Sequence, residues 1–389
     1  MSEFMRALRP EARDAPESGI VEVFNYGRHR PGLIPLWVGE GDLPTPAFIA
    51  EAAAKSLRDG ETFYTYQRGI PALRAAIAAY HERVYRRPFD PERFFVTSGG
   101  MPAVQYATRL VAGNGDEVLI PTPAWPNFAG ASVVAGAAPV EVPMRFGNAG
   151  WTLDLDRLFD AATPRTRAIF INSPSNPTGW TASLDELKAV LAFARERGLW
   201  IIADEVYHRF YYDGERSPSF YDIAEPADRL LFVNTFSKNW AMTGWRIGWL
   251  GAPPELGPVI ENLIQYSSSG TAVFMQRAAT AALEQGDDYV AMQTARAREG
   301  RDIVVAGLGA TGRARFSEPK GAFYLFFAVD GEPDSRALAF RLVDQANVGM
   351  APGGAFGKAG EGYLRLSFAR DAGQLRIAVE RIAAWLAPR

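Results

Sequence analysis

The sequence predicts an α/β protein with a mainly parallel sheet, joined to a second and smaller α+β lobe. Short apolar runs alternate with segments of helical periodicity through most of the chain, which is typical of parallel strands joined by helices. After about residue 280 the pattern changes to a long helix rich in Ala, Arg and Glu, then strand-like runs at 322–329 and 363–368 and a terminal helix at 372–386. A chain of 389 residues also exceeds the size at which single cores usually divide.

Hydrophobic periodicity predicts the elements of the larger lobe. Strands are expected at 94–96, 118–120, 168–171, 200–203 and 230–233. Helices are expected at 70–84 and 184–197, and also before Gly60, where Thr45 would be the N-cap and Pro46 would lie in the first turn.

Polar residues recur where the predicted strands end. They occupy the segments 97–100, 172–176, 204–205 and 235–238. In sheets of this kind, ligands bind beyond the carboxyl ends of the strands. We therefore expect the four segments to converge on one site.

Composition excludes several classes of function. A net charge of −3 lacks the basic footprint of a protein whose main partner is nucleic acid. Cysteine is absent and the histidines at 29, 81 and 208 are scattered, so we expect neither disulfides nor a metal site. The N-terminus has no apolar signal region, and no later stretch is long enough to span a bilayer. These features predict a cytoplasmic protein without a membrane partner.

Lys238 is the strongest candidate for a reactive residue. It lies in the run Thr-Phe-Ser-Lys-Asn-Trp-Ala-Met-Thr-Gly-Trp-Arg at 235–246, with hydroxyl side chains around it and a guanidinium downstream. Most lysines are solvated surface residues, but this one follows the apolar run 230–233 and has aromatic neighbours. An amine nucleophile in that setting suits an aldehyde cofactor that carries a phosphate.

Further motifs accompany Lys238 along nearly the whole chain: Pro-Ala-Trp at 123–125, Ser-Pro-Ser-Asn-Pro-Thr-Gly at 173–179, Asp-Glu-Val-Tyr at 204–207 and Tyr-Leu-Arg-Leu-Ser at 363–367. In this order the motifs resemble the class I/II aminotransferases of fold type I, most closely the bacterial branch similar to aspartate aminotransferase. The resemblance implies a three-layer fold with a mainly parallel seven-stranded sheet and pyridoxal 5'-phosphate as the cofactor. It also implies a large cofactor-binding domain at 46–284 and a small domain built from 1–45 and 285–389.

The resemblance assigns the chemistry to Lys238 and Asp204. Lys238 matches the Schiff-base lysine, whose neutral amine attacks the cofactor aldehyde and later moves a proton. Burial near Arg246 is expected to lower its proton affinity. Asp204 matches the carboxylate that pairs with the pyridinium nitrogen and keeps the ring an electron sink. Without the motif around it, an aspartate after a strand would more often be a helix cap.

Three further residues are expected around the cofactor ring. Tyr207 and Asn176 match the two groups that hydrogen-bond its phenolic oxygen. Trp125 matches the aromatic residue that stacks on the ring, where a flat π-face adds roughly 1 kcal/mol to area burial. Taken alone, the segment of Asn176 would be a turn and Trp125 a structural tryptophan.

The phosphate is expected to collect donors from separate places in the fold. Gly100 and Met101 would supply backbone N–H groups where a strand turns into a helix. Thr235 and Arg246 match the hydroxyl and the guanidinium on the same phosphate. Tyr64 matches the tyrosine that reaches this phosphate from the neighbouring subunit, so the resemblance implies a homodimer with a shared active site. The alternative for Tyr64 is an aromatic residue packed at a helix end.

The substrate is expected to meet Arg365 and Gly39. Arg365 matches the arginine that grips the α-carboxylate, and Gly39 matches the glycine whose backbone approaches the same group. In isolation, Arg365 would lie on a solvent face of an alternating strand with Tyr363 and Ser367, and Gly39 would lie in a plain loop.

The sequence departs from the family pattern in two places. Gly41 stands where a proline is usual, and Met101 occupies a position where some relatives carry a lysine that meets a second substrate carboxylate. Arg68 is one candidate to replace that charge across the dimer, with a surface arginine as the alternative. Phe24 and Tyr26 are candidates to line an apolar side-chain pocket instead.

These expectations add up to an aminotransferase that moves an amino group between an L-amino acid, with aspartate or glutamate as candidates, and a 2-oxo acid. The course would be ping-pong. One alternative is a β-lyase with the same cofactor and fold. Another is a non-catalytic ligand-sensing domain of a transcription regulator.

Overall fold

A computed structural model describes residues 2–387 of the chain. Within that range there are fifteen strands, which form a seven-stranded central sheet, a four-stranded sheet and two short pairs. The strands are β1 (Ile34–Pro35), β2 (Phe94–Thr97), β3 (Glu117–Thr122), β4 (Ala138–Pro143), β5 (Arg145–Gly147), β6 (Gly150–Thr152), β7 (Thr166–Asn172), β8 (Trp200–Asp204), β9 (Leu230–Thr235), β10 (Gly248–Gly251), β11 (Ala314–Arg315), β12 (Tyr324–Val329), β13 (Val348–Gly349), β14 (Ala351–Pro352) and β15 (Tyr363–Ser367).

Fourteen α-helices surround these sheets in the same range of residues. They are α1 (Glu3–Ala7), α2 (Pro10–Arg13), α3 (Gly19–Gly27), α4 (Ala47–Arg58), α5 (Pro71–Tyr85), α6 (Gly100–Val111), α7 (Asn127–Ala135), α8 (Leu155–Asp160), α9 (Leu184–Arg197), α10 (Gly257–Gln265), α11 (Val273–Gln285), α12 (Asp287–Gly309), α13 (Ser335–Ala346) and α14 (Ala372–Leu386).

The central sheet has the strand order β2-β10-β9-β8-β7-β3-β4. Every neighbouring pair is parallel except that β10 runs antiparallel to both β2 and β9. The predicted mainly parallel seven-stranded sheet is therefore confirmed. Strands β9 and β10 are buried along their whole length, as expected when helices cover both faces of the sheet.

Strand register places the polar strand ends at one edge of this sheet. Asn172, the last residue of β7, lies opposite Asp204, the last residue of β8. Thr235 ends β9 on the far side of β8. Because parallel strands end on the same side, three elements separated in sequence present their last residues together.

Helix α9 shows why some predicted bounds match the structure. Ser183 and Glu186 form a capping box at its start, and Gly198 ends it in the left-handed conformation at φ 64°. The helix spans the predicted residues 184–197, so these bounds are confirmed. They could be predicted because both end signals are local in the sequence.

The predicted cap of α4 is wrong. Pro46 occupies the N-cap and makes no side-chain capping bond. The Thr45 hydroxyl instead donates to the Ala241 carbonyl at 2.6 Å and accepts from Trp245 Nε1 at 2.9 Å. The Thr45 hydroxyl is therefore bonded to the segment that follows Lys238 and does not cap α4.

The second lobe is built on the antiparallel sheet β11-β12-β15-β14. Helices α12 and α14 pack against each other beside it. The N-terminal segment joins this lobe, because β1 pairs with β13 and α3 packs on β14 and α13. The predicted division between 284 and 285 falls near the break between α11 and α12. The exact domain bounds stay a prediction, and residues 1 and 388–389 lie outside the described range.

Replacing two glycines of α12 by alanine is expected to have opposite effects on stability. A side chain at Gly300 would overlap the Phe368 carbonyl and come within 2.9 Å of Leu375 Cδ1, whereas one at Gly309 would meet only Phe316 at 3.7 Å. Gly300→Ala should therefore lower the free energy of unfolding by about 1–3 kcal/mol. Gly309→Ala, in the same helix, should leave it unchanged or raise it by up to about 1 kcal/mol. Urea unfolding of both variants measures this, and equal effects would contradict the packing described for α12.

Candidate active site

A cavity of about 550 Å³ opens between the two lobes at the carboxyl ends of the central strands. Every residue predicted for the site except Tyr64 lines it: Gly39, Gly100, Met101, Trp125, Asn176, Asp204, Tyr207, Thr235, Lys238, Arg246 and Arg365. Most of these residues belong to the central sheet and its connections. Arg365 comes from β15 of the second lobe, and Gly39 follows β1.

Lys238 lies in the turn after β9, and its Nζ donates to the Gly39 carbonyl at 2.6 Å. Burial is the main cause that lowers the pKa of its amine from 10.5 to about 8, and the Arg365 guanidinium acts in the same direction. Glu40 and Asp204 oppose that shift. The expected loss of proton affinity is therefore present, although Arg365 contributes more to it than Arg246 does.

Asp204 is held by groups at the ends of two neighbouring strands. Asn172 Nδ2 lies 3.2 Å from Asp204 Oδ1, which also accepts from the Val206 backbone N–H at 3.3 Å. The Asn172 amide oxygen accepts from the backbone N–H of Asn176 at 2.8 Å. Asn172 thus joins two predicted site residues, a role that the sequence analysis missed. The strand register Asn172 to Asp204 is the signal that indicates it.

Burial raises the pKa of Asp204 from 3.8 to about 7. The Val206 N–H, the Lys238 amine and the Asn172 amide each work against that rise. The carboxylate form is therefore poorly stabilised by the protein alone, and an additional cationic partner would favour it.

Tyr207 forms a short pair with Tyr324, whose hydroxyl lies 2.6 Å from its own. Tyr324 is the first residue of β12 and also lines the cavity. No role at the site was predicted for it from the sequence. Burial raises the pKa of both phenols. A side chain at position 39 would overlap the Tyr324 hydroxyl. Gly39 is therefore required by close packing within the second lobe.

Arg365 is buried, with 2% of its surface exposed, so the alternative of a solvent face is wrong. Its Nη1 donates to Asn176 Oδ1 at 2.9 Å and its Nη2 donates to the Trp37 carbonyl. The guanidinium carbon lies 4.6 Å from the Tyr324 ring centroid and 4.9 Å from that of Phe356. Its Nε is buried without a partner among the described residues, so this guanidinium retains an unused donor.

The opposite end of the cavity collects donors around the start of α6. Gly99, at φ 110°, turns the chain from β2 into that helix, and a Cβ there would lie 2.7 Å from Arg246 Nη2. Arg246 adopts the left-handed conformation at φ 53°, and its Nη1 donates to the Thr243 carbonyl at 2.8 Å. The backbone thus brings the Arg246 guanidinium to the N-terminus of α6. The guanidinium and the helix N-terminus each favour the binding of an anion.

Hydroxyl groups complete this anion-binding end. Thr235 Oγ1 lies 3.1 Å from the Ile247 carbonyl and 2.9 Å from Ser237 Oγ. Ser237 also lines the cavity. It lies in the segment 235–238 that was expected at the site, but no individual role was predicted for it. Gly100 permits close packing here, because a Cβ there would touch Thr235 Cβ at 3.4 Å.

Trp125 is partly buried in the cavity wall. Its ring stands edge-on to Phe128, with centroids 5.5 Å apart.

Tyr64 does not reach the cavity of its own chain. It is 96% exposed, next to the exposed Phe63, so the alternative of a packed aromatic residue is wrong. Arg68 is bound within its own chain, where it pairs with Glu261 at 3.0 Å and with Glu92 at 3.2 Å.

Of the two residues expected to line an apolar side-chain pocket, Phe24 and Tyr26, only the first does so among the described lining residues. Phe24 lines the cavity. Tyr26 is 54% exposed and donates to the Asp344 carboxylate at 3.0 Å, so the expectation that it lines the pocket is wrong. The periodicity of α3 turns Tyr26 away and brings Ile20 and Val21 to the cavity with Phe24.

In residues 2–387 no helix has the length and apolarity needed to cross a membrane. The same range contains no cluster of His, Asp or Glu side chains arranged to hold a metal ion.

The fold and the cavity define an α/β enzyme with a reactive lysine. The lysine lies between a buried carboxyl group, an anion-binding helix start and a buried arginine from the second lobe. The family profile described as aminotransferase class I and II matches residues 31–382. The chain belongs to that family, and it is an aminotransferase.

Individual relatives match over nearly their whole length. Aspartate aminotransferase of Pyrococcus horikoshii is 35% identical over 94% of this chain and 93% of its own length. Aromatic-amino-acid aminotransferase 2 of Thermococcus litoralis is also 35% identical, over 94% of both chains. LL-diaminopimelate aminotransferase of Desulforudis audaxviator is 35% identical over 90% of this chain and 89% of its own.

Solved structures agree with the fold. Thermus thermophilus aspartate aminotransferase with maleate superposes with a TM-score of 0.91 at 34% identity, covering 97% of this chain and 99% of that one. N-succinyldiaminopimelate aminotransferase of Mycobacterium tuberculosis gives a TM-score of 0.91 at 31% identity, covering 98% of this chain and all of the other. These matches confirm the predicted fold class.

The raised pKa of Asp204 predicts a pH-dependent effect of Asp204→Asn on the cofactor-free protein. The folded pKa of about 7 lies above the unfolded value of 3.8, so between them the folded wild type holds a proton that the unfolded chain releases. Wild-type stability should therefore fall relative to the variant as pH rises through that window, and the difference should level off above it. Urea unfolding across this pH range measures the difference.

Asp228→Asn provides a control of opposite sign. Asp228 is paired with Arg195 at 2.6 Å, and its pKa is lowered even though burial opposes the shift. This variant should be less stable than wild type at neutral pH, and the deficit should shrink in acid. A pH-independent difference for Asp204→Asn would contradict the burial argument.

Proposed function

We propose that this aminotransferase uses pyridoxal 5'-phosphate bound to Lys238, and that it exchanges an amino group between an L-amino acid and a 2-oxo acid. One observation carries the proposal: the Lys238 amine, with its pKa lowered to about 8, shares a cavity with the Asp204 carboxyl and the Arg365 guanidinium. The names of its relatives, all aminotransferases, favour amino transfer over a β-lyase reaction.

The residues present fit that cofactor. Its phosphate is a dianion, and the start of α6, Thr235, Ser237 and Arg246 form a matching set of donors. When bound, the cofactor supplies an aldehyde for an amine and a protonated ring that accepts electrons. Trp125 offers an aromatic face to such a ring.

Asp204 would pair with the ring nitrogen. Burial disfavours its carboxylate form, and a cation opposite it reverses that penalty. Asn172 supports this role, because its amide orients the carboxyl group and also fixes the backbone of Asn176. Tyr207 and Asn176 would hydrogen-bond the phenolic oxygen, with Tyr324 positioning the Tyr207 hydroxyl.

Lys238 would act as nucleophile and then as the base that moves a proton at the substrate α-carbon. Its lowered pKa makes the neutral amine available near physiological pH. Arg365 would bind the α-carboxylate, and its unpaired Nε supports this role. Held there, the substrate presents its α-hydrogen to the lysine.

Tyr64 would complete the phosphate site of a second copy of the chain. The neighbouring aromatic side chains of Phe63 and Tyr66 are also exposed. Apolar surface of this kind favours an interface. We therefore propose a homodimer with shared active sites, located in the cytoplasm.

A direct experiment tests amino transfer. Purified holoenzyme is mixed with single amino acids while the absorption of the cofactor and the release of ammonia are followed. The aldehyde absorption should disappear on addition of the donor and return on addition of a 2-oxo acid, without ammonia. Continuous ammonia release without a 2-oxo acid would instead identify a β-lyase.

Lys238→Ala should abolish amino transfer. Loss of a proton-transfer group alone costs roughly 10²- to 10⁴-fold in rate, and the covalent link to the cofactor is lost as well. The control is Lys188→Ala, since Lys188 is an exposed residue of α9 that pairs with Asp185 at 3.1 Å and does not line the cavity. It should retain wild-type kcat. Full activity of Lys238→Ala would overturn the proposal.

The shared site predicts complementation between two variants. Tyr64→Ala and Lys238→Ala should each be nearly inactive when the cofactor is limiting. A mixed dimer would contain one site with both changes and one intact site. An equal mixture after subunit exchange should therefore recover roughly a quarter of wild-type activity. A mixture that recovers nothing, although exchange is verified, would contradict sharing through Tyr64.

A further inference from the structure

The positive charges that line the cavity all have a function in the proposed reaction. Among the described lining residues they are Lys238, Arg246 and Arg365. Lys238 bonds the Gly39 carbonyl, Arg246 lies against the start of α6, and Arg365 is fixed by Asn176 and the Trp37 carbonyl. These three serve the cofactor aldehyde, its phosphate and the substrate α-carboxylate. A second carboxylate on the substrate would find no cation.

The remaining lining residues make a second carboxylate still less favourable. Glu40 is an additional anion on the wall, and its Oε2 accepts from the Thr243 hydroxyl at 3.1 Å. A carboxylate that leaves water for a cavity without a partner cation loses solvation that nothing replaces.

The side of the cavity formed by α3 is apolar. Ile20, Val21 and Phe24 face it from that helix. Across from them, Met101 Sδ accepts from Asn127 Nδ2 at 3.4 Å. Asn127 is a neutral amide that also lines the cavity, so it brings no positive charge, and the surface that α3 and Met101 offer to a substrate is largely hydrocarbon.

Helix α3 is firmly seated on the second lobe. A side chain at Gly27 would lie 2.7 Å from the Trp37 ring, and one at Gly19 would lie 3.2 Å from Ala355 Cβ. The helix is also linked to α13 by the ion pair of Glu22 with Arg336. The apolar wall is therefore held in place by the packing of α3 on the second lobe.

A charge from the partner subunit is not supplied by Arg68. This side chain is 22% exposed and is held by the carboxylates of Glu92 and Glu261. Releasing it would leave both carboxylates unpaired.

We propose that the side-chain subsite formed by Ile20, Val21, Phe24 and Met101 selects uncharged, apolar side chains, so that the donor and the acceptor are both monocarboxylic. This inference rests on the proposed function. In each cycle the donor α-carbon loses its hydrogen and amino group and gains the carbonyl oxygen, while the acceptor undergoes the reverse change. No outside oxidant is needed, and one subsite receives both side chains in turn.

The first test is a substrate panel with the holoenzyme. Leucine, phenylalanine, aspartate and glutamate are each paired with pyruvate and with 2-oxoglutarate. We expect kcat/KM for leucine or phenylalanine to exceed that for aspartate and glutamate by about tenfold or more, and pyruvate to exceed 2-oxoglutarate. Preference for the dicarboxylic substrates would overturn the inference and leave the proposed function intact. Failure of every amino acid to convert the cofactor would overturn the proposed function itself.

The second test adds a charge to the apolar wall. Val21 lines the cavity but is 52% exposed, so Val21→Lys should fold normally. It should raise the ratio of kcat/KM for aspartate to that for leucine by roughly tenfold. Val21→Gln, of similar length without charge, separates the effect of charge from that of polarity and should raise that ratio much less than Val21→Lys does. Equal ratios in both variants would show that α3 does not contact the substrate side chain, and the inference would be wrong.

Discussion

The parallel pairing of β8 with β7 and β9 is the constraint on which the rest of the site depends. It sets the carboxyl end of β8 beside that of β7, so Asp204 meets Asn172. It also starts the turn that carries Lys238 at the end of β9. A shift of one residue in either pairing would turn these side chains to the other face of the sheet. Hydrophobic burial of the strands therefore determines where the reactive groups stand.

The groups at this edge are incompletely satisfied by the protein. Burial lowers the pKa of Lys238 and raises that of Asp204, and Arg365 keeps an unpaired Nε. Perturbed groups of this kind gather where ligands bind. The protein has placed an amine, a carboxyl group and a guanidinium in surroundings that favour them only when a ligand brings the opposite charges. That pattern supports the proposed binding of an anionic substrate and a cationic ring at this site.

Local signals account for what the sequence could predict. Helix α9 carries its own capping box and terminal glycine, and β7, β8 and β9 each contain a continuous apolar run of four residues. Strands β10 and β4 were missed. The first is a four-residue segment with glycines at both ends, and the second contains two prolines and is partly exposed. Asn172 and Ser237 lie in segments that were expected at the site, but their individual roles arise from contacts made after the chain has folded, and Tyr324 carried no signal of its own. The side chain of Tyr26 likewise points away from the cavity because of the way α3 packs on the second lobe.

The bonds that join the two lobes across the cavity connect distant parts of the chain. Lys238 and Gly39 are 199 residues apart, and Arg365 and Asn176 are 189 apart. Closing loops of that length loses more chain entropy than pairing neighbouring strands. Neither lobe holds the complete set of reactive groups by itself. The order of folding therefore has a chemical consequence: a chain with its central sheet formed but its lobes not yet docked would carry the lysine without the surroundings that make it reactive.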